Sequence, residues 1–140
     1  MKSRASASSE SRAEHSLDEL VEKTLLTREI QAVYSGAARR INLPASPLAV
    51  HGSLNYGKMA HILAVVRLAL GYKVLGNCTH EPNSMGAMAG ANLFWAELGS
   101  NPRDIKEQTV RGWTVKRTQQ EFEEAGWEVL TGPSVMYRHR

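Results

Sequence analysis

Cysteine is almost missing from this chain: Cys78 is the only one in 140 residues. One thiol excludes an intrachain disulfide framework and a Cys-only metal site within one chain. It also excludes a three-cysteine cradle for an iron–sulfur cluster in a single copy. No apolar run approaches the ~18 residues of a membrane span. The N-terminus carries no apolar stretch of the secretory kind, so a cytoplasmic location is expected. No run of Lys or Arg stands out. The net charge is only +3, from 17 basic and 14 acidic residues, so neither nucleic acid nor membrane is an expected partner. The chain is also too short for a closed (β/α) barrel, which needs about 250 residues.

What remains is an ordinary globular composition, 42% apolar and 22% charged, in a length that suits one domain. Residues 1–15 hold no large apolar side chain besides the initial Met and read as a disordered tail. Glu10 and Glu14 argue against an organelle transit peptide. Residues 16–140 read as a single α/β domain. Ser16 with Glu19 fits a capping box. Leu17, Leu20, Val21, Leu25, Ile30 and Val33 predict a helix over 17–38.

Beyond Pro47 two patterns alternate. Short apolar runs predict strands at 48–51, 73–77, 92–97 and 127–130. Met59, Ile62, Leu63, Val66 and Leu70 predict an apolar helix over 58–70, with Gly71 at its end. Residues 85–89 suggest a short helical piece. Residues 113–125 predict an amphipathic helix, Val115 and Phe122 inward, stopped by Gly126. Trp113 and Trp127 are expected to pack on the sheet. Strand, loop and helix in repetition mean parallel β/α units. Sites in such sheets lie at the carboxyl ends of the strands. The polar loops 51–57, 77–84 and 97–103 are therefore expected on one rim.

Each loop offers chemistry and a plainer alternative. Gly52, Gly57 and Lys58 satisfy G-x-x-x-x-G-K, the core of a phosphate-binding loop. The magnesium-holding Ser or Thr is replaced by Met59, so the alternative is a tight strand-to-helix turn. Asn77-Cys78-Thr79-His80-Glu81-Pro82-Asn83 gathers a thiol, an imidazole, a carboxylate and two amides, or simply builds a turn. Adjacent donors lack the usual metal-ligand spacing, so no metal site is expected. Glu97 sits near a strand end, and Arg103 suits a carboxylate or phosphate, or a solvated pair with Asp104.

Ala89-Gly90-Ala91-Asn92, an apolar strand, then Glu97, Asn101 and Pro102 resemble the C-terminal region of biotin-synthase-like radical S-adenosylmethionine enzymes. Phe122-Glu123-Glu124-Ala125-Gly126-Trp127 resembles the terminal helix of that family. Residues 51–83 with 89–104 look closest to members that build or mature complex cofactors, including the iron-guanylylpyridinol cofactor. The resemblance covers about residues 42–137. It implies the C-terminal half of a (β/α) barrel (a TIM barrel), open or completed by another chain. It implies a substrate-side role in cofactor biosynthesis, a small-molecule substrate and S-adenosylmethionine. The cysteine triplet for [4Fe–4S] is absent, so the cluster is not expected in this chain alone. Ligand contacts are expected from His51, Asn55, Lys58, Cys78, His80, Glu81, Asn83, Glu97 and Arg103. Two exposed strand edges imply a homo-oligomer or a partner carrying the missing half. The alternative is a small phosphate- or nucleotide-binding protein using Gly52 to Lys58.

Overall fold

Ser16 opens the first helix through a reciprocal cap. Its hydroxyl accepts the Glu19 N–H at 3.2 Å, and the Glu19 carboxylate accepts the Ser16 N–H at 2.6 Å. Two backbone donors that a helix start leaves open are thereby satisfied. The computed structural model describes residues 16–38, 45–79, 83–96 and 113–132. Its first helix, α1, is Leu17–Glu29, shorter than the expected 17–38. Gln31 takes φ +51, a left-handed conformation that cannot continue a helix. Val33 fits the helical spacing in the sequence but lies beyond this break. The chain emerges extended, and β1 is Tyr34–Ala37, a strand the periodicity conceals.

The expected strand at 48–51 is instead a 3-10 helix, Pro47–His51. A four-residue apolar run does not distinguish the two. Pro47 decides it, since its fixed φ and missing N–H suit a first helical position. Helix α2 is Tyr56–Leu70, burying Met59, Leu63, Val66 and Leu70 along one stripe. Gly71, at φ +56, ends it. Strand β2 is Gly76–Thr79, three residues later than the expected start. Val74 explains the shift: it packs with Val66 and Leu70 under α2 instead of entering the sheet. Helix α3 is Ser84–Met88, and β3 is only Leu93–Phe94.

Helix α4 is Val115–Glu124, capped by Thr114. It closes in a Schellman motif. The Gly126 N–H donates to the Glu123 carbonyl, and the Trp127 N–H to the Phe122 carbonyl, both at 2.9 Å. Gly126 supplies the required positive φ, +76. The Trp127 indole then donates to the Ala87 carbonyl at 3.2 Å. These bonds hold the chain against α3, so 127–130 forms no strand. Trp127 is half-exposed, whereas Trp113 is buried, with the Arg117 guanidinium 3.9 Å above its ring. Phe122 points inward and stacks on Phe94 at 4.2 Å. Val115 faces solvent, contrary to expectation.

The three strands form one open parallel sheet, ordered β1-β2-β3. Its register divides the side chains between two faces. Ala37, Asn77, Thr79 and Phe94 face the helices: Ala37 and Phe94 pack on Met59 and Leu63, while the Asn77 amide donates to the Leu63 carbonyl. Tyr34, Gly36, Gly76, Cys78 and Leu93 occupy the opposite face. Gly36 is fixed by this geometry. A Cβ there would overlap the Cys78 carbonyl oxygen and lie 2.5 Å from its Sγ, so only glycine lets β1 and β2 pair at this point.

Candidate functional site at the carboxyl ends of the strands

Helix α2 runs back against the sheet. Met59, in its first turn, packs with Ala37 and Phe94 at the strands' carboxyl ends, and Leu54 joins them. Its last turn packs on Val74, before β2 begins. The N-terminus of α2 therefore opens at the carboxyl-end rim. Helix α3 starts five residues beyond Thr79, on the same rim. Ligands bind here in open α/β sheets.

The structure places five of the nine expected site residues; His80, Glu81, Glu97 and Arg103 lie outside the described residues. Asn55 is the N-cap of α2, and its side-chain oxygen accepts the Lys58 N–H at 2.8 Å. Asn83 is the N-cap of α3 and accepts the Gly86 N–H at 2.7 Å. Both amides thus have structural work. Lys58 is exposed in the first turn of α2, beside its cap. His51 is exposed at the end of the 3-10 helix, not at a strand terminus as expected. Cys78 is half-buried on the face opposite the helices, between Gly36 and Leu93. The structure joins Asn55 to Lys58. It sets Cys78 apart from them, on the other side of the sheet.

These caps bear on the phosphate-loop alternative. Such a loop follows a strand and aims free N–H groups at its ligand. Here a 3-10 helix precedes it, the Lys58 N–H is bonded to Asn55, and Met59 is buried in the core. At α3 the Glu121 carboxylate accepts the Ser84 N–H at 2.7 Å, so that helix start is also satisfied from within the protein.

A second cluster, which the sequence reading missed, lies at the amino ends of β2 and β3. The Arg67 guanidinium reaches from α2 and donates to the Gly90, Val74 and Gly71 carbonyls at 3.1, 3.0 and 3.3 Å. Its fourth bond, at 2.9 Å, goes to the Asn92 side-chain oxygen. That oxygen also accepts the Asn77 N–H at 2.8 Å, while the Asn92 amide donates to the Leu75 carbonyl at 2.9 Å. Gly90, at φ +98, lets Arg67 through: a Cβ there would sit 2.8 Å from the Arg67 Cγ. Burial pulls the Arg67 pKa below its ordinary value, and the neighbouring Tyr72 opposes that shift. The signals were an arginine within an apolar helix and a glycine–asparagine pair before a strand. Together they make a clamp that joins α2 to the sheet, at the end away from the candidate rim.

No family model, curated protein or solved structure matches this chain. Among the described residues no group of three His, Cys, Asp or Glu could hold a metal ion. Nor is any described helix long and apolar enough to cross a membrane.

Proposed function

We propose that this chain is the C-terminal, substrate-side portion of a biotin-synthase-like radical S-adenosylmethionine enzyme of cofactor biosynthesis, catalytically incomplete alone. The observation that carries the reading is the two-faced sheet. Helix α2 and the Phe122 ring of α4 pack on the face bearing Ala37, Thr79 and Phe94. Among the described residues the opposite face keeps Tyr34 exposed and Gly36, Cys78 and Leu93 half-buried, with Gly76 buried. Doubly wound sheets carry helices on both faces. A barrel segment carries them outside only, and its other face lines the interior. Among the described residues, helices packed on one face and Tyr34 exposed on the other favour the barrel segment.

In that setting the chain's own contribution is positional. Cys78, Leu93 and Tyr34 would line the interior, and a small organic substrate would sit at the carboxyl-end rim beside Asn55, Lys58 and Asn83. The residues do not fit a [4Fe–4S] cluster, because one cysteine cannot supply three thiolate ligands. No step is therefore assigned to a cluster held here. S-adenosylmethionine would reach this chain only across an interior shared with the missing half.

The test is co-expression with a chain encoded beside this one that carries a cysteine triplet. Stoichiometric co-purification is expected, because the sheet of the described residues has two edges, β1 and β3. A neighbouring frame without such a triplet, together with a chain that binds ATP and Mg²⁺ in a Lys58-dependent way, would favour the nucleotide reading instead.

A further inference from the structure

We propose that the outer face of α2 is a homodimer surface that docks, antiparallel, onto α1 of a second copy of this chain. His61, Val65 and Leu68 recur along α2 at spacings of four and three residues, the seam of a helix–helix contact, and Tyr72 follows in the 3-10 turn Gly71–Lys73 beyond its end. This stripe faces away from the sheet, opposite Met59, Leu63, Val66 and Leu70. Leu68 is 83% exposed and Tyr72 96%. The outward face of a helix on a monomeric sheet is ordinarily polar, and a contiguous apolar patch marks an interaction site.

Helix α1 offers a matching stripe. Leu17, Val21 and Leu25 lie four residues apart and are all more than half exposed. None of the thirteen residues of α1 is buried, although α1 packs against α2. The two stripes have similar lengths, about 12 Å from residue 17 to 25 and about 10 Å from 61 to 68 at 1.5 Å per residue.

Charge selects the partner and its direction. Residues 56–73 contain Lys58, Arg67 and Lys73 and no carboxylate. Helix α1 carries Asp18, Glu19, Glu22 and Glu29 against Lys23 and Arg28. Asp18, Glu22 and Glu29 follow one flank of its apolar stripe, by helical spacing. Antiparallel docking brings Lys73, in the 3-10 turn that follows α2, toward Asp18 of the second copy, and Lys58 toward its Glu29. A two-fold axis repeats the contact, α1 on α2 and α2 on α1, as an isologous dimer requires. This surface is separate from the sheet edges, so it stands whether or not the chain completes a barrel.

Sedimentation equilibrium across a concentration series tests it, with circular dichroism to confirm folding. Wild type is expected to dimerise. Val21→Glu and Leu68→Glu, both at exposed positions, are each expected to weaken the dimer by about tenfold or more. Lys73→Glu is expected to weaken it too, and Asp18→Lys in the same chain to restore it. A wild-type monomer throughout the series overturns the proposal. So does a dimer indifferent to both stripe substitutions, or a charge swap that fails to rescue.

Discussion

Asn92→Ala removes one side chain and three hydrogen bonds that hold the start of β3 to β2 and to α2. Its oxygen accepts from the Asn77 N–H and the Arg67 guanidinium, and its amide donates to the Leu75 carbonyl. The Asn92 backbone N–H separately donates to the Asn77 carbonyl at 2.9 Å, so one residue grips both sides of Asn77. A net neutral hydrogen bond contributes about 0.5–1.5 kcal/mol and one to a charged group about 1.5–3. Simple addition gives about 2.5–6 kcal/mol. Asn92 is exposed, however, so water can take over its bonds to Arg67 and Leu75. The part-buried Asn77 N–H is the donor hardest to satisfy again. That lowers the expected cost to about 1.5–3 kcal/mol. For a chain of this size the melting temperature should fall by roughly 5–12 °C. Asn92→Asp keeps the acceptor and adds an ion pair with Arg67, but turns a carboxylate oxygen toward the Leu75 carbonyl, so the two effects oppose each other. Thermal and urea unfolding followed by circular dichroism give both numbers. A cost below about 0.5 kcal/mol for Asn92→Ala, the usual scale of an inert surface change, would refute the clamp.

Gly36→Ala should disrupt β1–β2 pairing, because its Cβ meets the Cys78 backbone rather than a movable side chain; a loss of about 2 kcal/mol or more is expected in urea unfolding, and an unchanged midpoint would contradict the register. Leu63→Ala should cost about 2–5 kcal/mol, since Leu63 is completely buried, whereas His51→Ala, at an exposed position, should stay within about 0.5 kcal/mol. ATP with Mg²⁺ should leave the melting temperature unchanged, because the Lys58 N–H is bonded to Asn55 and Met59 is in the core; at 100 Kd a bound ligand would add about 2.7 kcal/mol, so a real site would be visible. Anaerobic reconstitution of the isolated monomer should yield no stoichiometric [4Fe–4S] cluster, read by iron and sulfide analysis.

Helices were more legible in the sequence than strands, and the reason is physical. Met59, Leu63, Val66 and Leu70 repeat over four turns, Gly71 stops them, and one face of α2 is buried as that spacing predicts. The Ser16–Glu19 cap was equally local. Strand β1 was hidden because Tyr34-Ser35-Gly36-Ala37 carries little apolar signal; it is a strand because β2 pairs with it and Gly36 fits against Cys78. Residues 127–130 have a strand-like composition, but the Schellman motif and the bond from Trp127 to Ala87 commit them elsewhere. At the rim, composition identified polar residues without showing that Asn55 and Asn83 are engaged as caps. Arg67 and Asn92 are separated by 25 positions, and no short motif spans that distance.

The most direct measurement is reductive cleavage of S-adenosylmethionine by this chain combined with a chain bearing the cysteine triplet. Methionine release under anaerobic reduction would be followed for the mixture and for each chain alone. If this chain supplies the substrate side of a shared barrel, the mixture should turn over in the presence of substrate well above either component. Tyr34→Glu, which places charge at an exposed position on the face that bears Cys78, should abolish the gain; Val21→Glu, on the far surface of α1, should not. Release by the triplet-bearing chain alone, undiminished without this chain and at the same rate with it, would contradict the assignment.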